Sequence, residues 1–141
     1  MYLLDTNVIS ETRKGSRANA GVLKFMHDVI AKRQRTYIAA PSIGEIRYGV
    51  ERLRYRRDIA QATSVENWLN ALLEAGAGRV LSFDEPCAQT WGRLLVPNNT
   101  NQIDKQIAAI ALVNELTLVT RNVRDFQIHG LTVINPFTEP H

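Results

Sequence analysis

The stretch Tyr2-Leu3-Leu4-Asp5-Thr6-Asn7 decides how the rest of this chain is read. Three β-prone residues run straight into a carboxylate, a hydroxyl and an amide. A charge that ends an apolar strand must point out of the sheet edge or be paired, because burying it alone is costly. In an open α/β sheet the carboxyl ends of the strands are where ligands and chemistry are placed. Asp5 therefore marks a candidate edge. The simpler reading is a helix N-cap for a turn beginning at Thr6, a role aspartate fills readily.

Working outward from Asp5, four further β-prone runs stand at Thr36 to Ala40, Arg79 to Phe83, Leu116 to Thr120 and Leu131 to Asn135. Between the runs, apolar residues recur at helical spacing. Val22, Phe25, Met26 and Val29 form one stripe; Ile43, Ile46, Val50 and Leu53 form the next. A third contains Ile59, Ala62, Val65, Trp68, Leu69, Leu72 and Leu73. Cys87, Trp91, Leu94 and Leu95 follow Asp84-Glu85-Pro86, a good helix opening because aspartate caps and proline is tolerated in a first turn. Ile107, Ile110, Ala111 and Asn114 mark the fifth. Strands alternating with helices predict a parallel sheet covered on both faces, with right-handed crossovers. Pro97 to Gln102 is the clearest loop, and the tail after Pro136 is expected to be irregular.

At 141 residues the chain is expected to form one domain, residues 1–141, with one substantial core. Its 45% hydrophobic and 22% charged residues argue against disordered and collagen-like classes. Basic residues exceed acidic ones by 17 to 14, and thirteen of the seventeen are arginine. Arg52, Arg54, Arg56 and Arg57 fall within six positions, and arginine's planar fork suits phosphate oxygens. The plain alternative is a solvated helix face. Cys87 is the sole cysteine, which rules out an internal disulfide and a thiolate zinc cluster and fits a reducing cytoplasm. No export signal or membrane span is indicated, since the longest apolar run is Ile107 to Val113.

Three more acidic positions recur at strand-to-helix or loop-to-helix junctions. Glu45 closes Ser42-Ile43-Gly44-Glu45, which also reads as a capping box with Ser42 as the cap. On a helix, Glu45, Gly49, Arg52 and Arg56 share a face opposite the apolar stripe. Asp104 opens the helix of Ile107-Ala108-Ala109-Ile110-Ala111, where a cap or the helix dipole would also favour it. Asp125 follows Thr120-Arg121-Asn122, and its alternatives are a turn or an ion pair with Arg121 or Arg124. Carboxylates gathered with no lysine or histidine among them repel one another and attract a divalent cation. His27, His129 and His141 are too scattered for a paired-histidine mechanism.

In order and spacing, Leu3-Leu4-Asp5-Thr6-Asn7, the Glu45 helix, the Asp104 helix and the late Val119-Thr120-Arg121-Asn122 strand end resemble the PIN-domain ribonucleases, and among them the VapC-type toxins of toxin-antitoxin pairs. The resemblance runs from Leu3 to Phe137. It implies an α/β/α sandwich around a five-stranded parallel sheet of order 3-2-1-4-5, and metal-dependent endoribonuclease activity. Asp5, Glu45 and Asp104 match the family's first three acids. At the fourth, this chain has Asn122 directly after Thr-Arg and Asp125 three residues on. Asp125 is the candidate acid, and Asn122 is left to bond a water or a phosphate. Thr6, Asn7, Thr120 and Arg121 are expected around them.

Oxygen ligands without histidine suit Mg²⁺ or Mn²⁺ and disfavour zinc, so Asp5, Glu45, Asp104 and Asp125 are the expected metal set. Arg52, Arg56 and Arg121 are expected to meet an RNA backbone, with Tyr48 or Tyr55 as stacking platforms. The resemblance further implies a homodimer and a cognate VapB-type antitoxin, with DNA bound only through the antitoxin. Two other readings stay open: a non-enzymatic α/β binding module, against which stands the lack of any Gly-rich phosphate loop, and a related nuclease acting on DNA.

Overall fold

The structure, a computed structural model, describes residues 1–76 and 78–139, so His141 lies outside the described residues. Five strands, β1 (Tyr2–Leu4), β2 (Thr36–Ala39), β3 (Val80–Leu81), β4 (Thr117–Val119) and β5 (Val133–Ile134), pair in the order β3-β2-β1-β4-β5. All four pairings are parallel. The strands are shorter than the β-prone runs predict, because the flanking residues already leave the ladder for helices and turns. β1 is central, with Leu4 level with Ile38 on one side and Val119 on the other.

Six helices cover the sheet: α1 (Thr6–Thr12), α2 (Ala20–Ala31), α3 (Ala40–Tyr55), α4 (Ile59–Ala75), α5 (Glu85–Leu94) and α6 (Gln102–Val113). Strand side chains alternate between faces. Leu3, Ala39 and Leu118 join Cys87 of α5 and Ile107, Ala108 and Ile110 of α6 in one core. Leu4, Ile38 and Val119 join Val8, Val22, Ile46 and Leu69 of α1 to α4 in the other. The architecture is thus the expected three-layer sandwich. Ile107 to Ala111 are all fully buried, so α6 is apolar around its circumference there, and its alanines let it lie close against the sheet.

Two local expectations change. α1 is a sixth helix that the apolar stripes did not predict, since seven residues give too few turns for periodicity to register. The capping box at Ser42 is also absent. α3 starts at Ala40, directly where β2 ends, with Pro41 in its first turn and Ala39 as its N-cap. That junction places Ser42 inside the helix, fully buried, with its hydroxyl lacking a hydrogen-bond partner.

The C-terminal segment is irregular but fastened. Asn19 donates from Nδ2 to the Thr138 carbonyl at 2.8 Å, and the Thr138 amide donates to Asn19 Oδ1 at 3.0 Å. A side chain added at Gly21 would run into the Pro136 carbonyl oxygen and the Thr138 amide.

Candidate active site

β1 and β4 end side by side, which brings Asp5 and Thr120 together at the carboxyl edge of the sheet. Both are buried, Asp5 at 3% exposure and Thr120 at 0%. The Thr120 hydroxyl donates to Asp5 Oδ2 at 2.7 Å. Asn7 Nδ2 reaches the same carboxylate oxygen at 3.1 Å and Thr120 Oγ1 at 3.2 Å. The Thr6 amide donates to Asp5 Oδ1 at 2.8 Å. Asp5 therefore caps α1 and sits in a web of donors at once; the two readings of the sequence are compatible. Burial pushes its carboxyl up from the ordinary range, the donors from Thr120, Thr6 and Asn7 pull it back, and the charge of Asp125 adds a further upward push.

Glu45, on the second turn of α3, joins this edge through Thr6, whose hydroxyl donates to Glu45 Oε1 at 2.6 Å. The helix start at Ala40 explains why Glu45 is free for this contact: it lies beyond the first turn, where no cap is needed. Asp104 stands in the first turn of α6, whose N-cap is Asn101, so Asp104 is not the cap either. Burial, then the charges of Asp5, Glu45 and Asp125, push the Asp104 carboxyl up to about 6. Among the described residues no cation offsets them. Lys105, next in sequence, spends its ammonium on the Asn98 carbonyl of the preceding loop.

Asp125 is exposed in a 3-10 turn spanning Val123–Phe126, and it forms no ion pair among the described residues. Of the two candidates for the fourth acid, its charge is the one felt at Asp5 and Asp104. Asn122 contributes its backbone amide, which donates to Thr120 Oγ1 at 3.0 Å. Arg121 divides: its amide donates to Asn7 Oδ1 at 3.1 Å, while its guanidinium turns away to Glu139 at 3.2 Å and lies over the Phe137 ring. The Arg121 guanidinium is thus engaged with the C-terminal segment.

The four carboxylates are electrostatically coupled, but the edge is open. Among the described residues no group of three or more His, Cys, Asp or Glu side chains is drawn together as it would be around an ion. Beside Glu45 a groove of about 470 Å³ runs along α3, walled by Tyr48 and Arg52 on one side and by Ile103 and Gln106 of α6 on the other. Gly44 lines it, whereas Gly49, which the helical face had suggested, does not. Ile103 and Gln106 escaped the sequence reading because only the approach of α6 to α3 brings them there.

A doubly covered parallel sheet with an uncompensated acidic edge at the end of its central strand defines a class of α/β protein. Residues 2–129 match the family model described as PIN domain, and the chain belongs to that family. It is 37% identical over 142 residues to the plasmid stability protein StbB of Pseudomonas syringae pv. tomato, covering 97% of this chain and 99% of that one. It is 31% identical over 143 residues to the VapC ribonuclease Y4jK of Sinorhizobium fredii, covering 97% and 98%. Among solved structures it resembles VapBC2 from Rickettsia felis bound to a DNA fragment from their promoter, with a TM-score of 0.68 and 25% identity over 95% of this chain and 97% of that chain.

Proposed function

We propose that this chain is an endoribonuclease dependent on Mg²⁺ or Mn²⁺ and the toxin of a VapBC-type toxin-antitoxin pair. The observation that carries the proposal is the placement of Asp5, Glu45, Asp104 and Asp125 at one sheet edge, where burial and the other three acids push the Asp104 carboxyl up to about 6 and no cation among the described residues offsets them. An arrangement that self-repels is costly to the fold and is relieved by a positive charge arriving from outside. The relative named VapC ribonuclease supports the activity.

The donor chemistry fits a hard cation. Asp5, Glu45, Asp104 and Asp125 offer only oxygen, and Asp5 is held rigidly while the others lie nearer the rim. Closing on an ion requires the rim side chains to swing inward. A bound ion would polarise a phosphate and lower the pKa of a water. The chain's own part is positional. Thr120, Asn7 and the Thr6 amide hold both Asp5 oxygens, and Thr6 aims Glu45 at the same edge. Asn122 Nδ2, which has no partner among the described side chains, is available to a phosphate oxygen.

The expected setting is cytoplasmic; no helix among the described residues is long and apolar enough to cross a membrane. The proposed assembly is a homodimer silenced by a cognate VapB-type antitoxin, through which alone it would meet DNA; the VapBC2 likeness supports the antitoxin partner. The test is purified protein with structured RNA and with DNA, in Mg²⁺, Mn²⁺ or EDTA, beside Asp5→Asn. RNA cleavage that vanishes with chelator and falls by orders of magnitude in the variant is expected. Intact RNA in every condition would overturn the enzyme in favour of a binding module, and cleavage of DNA alone would replace the substrate. Growth arrest on expression, relieved by Asp104→Ala, would separate a toxin from a housekeeping nuclease.

A further inference from the structure

On α3, Arg47 and Arg54 pair with Glu51 and Glu66, whereas Arg52 and Arg56 form no ion pair among the described residues. A second set of unpaired cations lies at the opposite end of the sheet. Lys32, Arg33 and Arg35 link α2 to β2, and Arg79 leads into β3. All four are exposed and form no ion pair among the described residues. Arg35 and Arg79 stand on the amino edge itself, where their carbonyls accept from the amides of Tyr2 and Ile38, each at 3.0 Å.

Beneath this edge, between the sheet and α1, α2 and α4, is a cavity of about 230 Å³. Its walls are apolar, made by Ile9, Met26, Ile38 and Leu72, and its mouth carries Thr36, the first residue of β2, and Arg79. No acid lines it. Glu74, on the last turn of α4, stays outside, so the charge at the mouth is positive. The volume exceeds the roughly 150 Å³ of a cavity that takes up benzene and falls short of the roughly 300 Å³ at which pockets for drug-sized molecules begin. A short acyl chain or a single ring is the size that fits.

We propose that this cavity is a binding site for a small amphiphilic carboxylate, its tail against Ile9, Met26, Ile38 and Leu72 and its head at Arg79. The apolar walls supply the burial that holds a hydrocarbon tail. The planar guanidinium takes a carboxylate through two parallel hydrogen bonds, and the Thr36 hydroxyl adds a donor at the same mouth. Lys32, Arg33 and Arg35 make the approach to that mouth favourable for an anion. The site lies at the amino edge of the sheet, away from the four acids, and does not depend on what they do.

The test follows the methyl NMR signals of Ile9, Met26 and Ile38 in the full chain as octanoate, octanol or acetate is added below the micelle-forming range. Octanoate is expected to shift all three signals saturably, octanol to bind about tenfold more weakly for want of the charged hydrogen bonds, and acetate to shift none. Arg79→Ala should weaken octanoate about tenfold and leave octanol unaltered, with Arg79→Lys recovering part of the loss. Ala75→Phe, at an exposed position that lines the cavity, should fill it and abolish both. Dispersed methyl signals in each variant verify that it is folded. Signals that do not move with octanoate would overturn the site, and octanoate binding as tightly to Arg79→Ala would overturn the carboxylate head. Equal shifts at the exposed Ile30 and Ile59 would mark detergent-like coating and overturn it as well. So would Ile9 and Met26 signals that move with protein concentration alone while the sedimentation coefficient rises, because a side chain of a second copy would then be the occupant.

Discussion

Asp104 shows, at the scale of one residue, how the site opposes the fold. A helix N-terminus favours a carboxylate, yet burial and three like charges outweigh it and push the group from 3.8 up to about 6. Its carboxyl therefore binds a proton more readily folded than unfolded. The resulting stabilisation is fully present below about pH 4 and is lost as the pH rises through about 6. Asp104→Asn is expected to raise the melting temperature of metal-free protein at about pH 7.5 by a few degrees, the gap closing toward pH 4. Differential scanning fluorimetry across that range measures it; a variant that melts lower at neutral pH would remove the crowding argument. Asp5 was legible from sequence because a lone acid ends an apolar strand. Glu45 was legible as a position but not in its role, since its spacing from Ser42 equally spells a cap. Pro41 was the signal that the helix begins earlier, because proline belongs in a first turn.

At the scale of elements, the alternation of strands and helices was readable because parallel strands buried on both faces are nearly continuous apolar runs. Their ends were not, because β2 passes into α3 with no loop residue between Ala39 and Ala40. α1 left no apolar stripe because it is only seven residues long, and Asp5 as a helix cap was its one trace in the sequence; Asp5 holds its start and Val8 and Ile9 seat it in the core. The junction of the C-terminal segment with α2 left a trace in sequence only as Gly21. The backbone of Pro136 to Thr138 occupies the space a side chain would need there. Gly21→Ala is expected to cost about 1–3 kcal/mol by displacing that segment, despite alanine's better helix propensity. Chemical denaturation provides the number, and a variant as stable as wild type would mean the tail is not seated on α2.

For the whole molecule, the net charge of +3 conceals a separation of roles. The acids gather at the carboxyl edge of β1 and β4, while the unpaired arginines of α3 lie along the groove beside it. That separation could not be read from composition, since Arg47 and Arg54 differ from Arg52 and Arg56 only in which side of α3 they occupy. It also sets what the fold must gain from a ligand: a divalent cation that binds only the folded state stabilises it in proportion to the logarithm of its concentration. The most direct measurement is the melting temperature of the wild type and of Asp104→Asn at about pH 7.5 as Mn²⁺ is added from a chelated start. A saturable rise is expected for the wild type and little or none for Asp104→Asn. A wild type indifferent to Mn²⁺ and Mg²⁺, or a variant that responds equally, would contradict it.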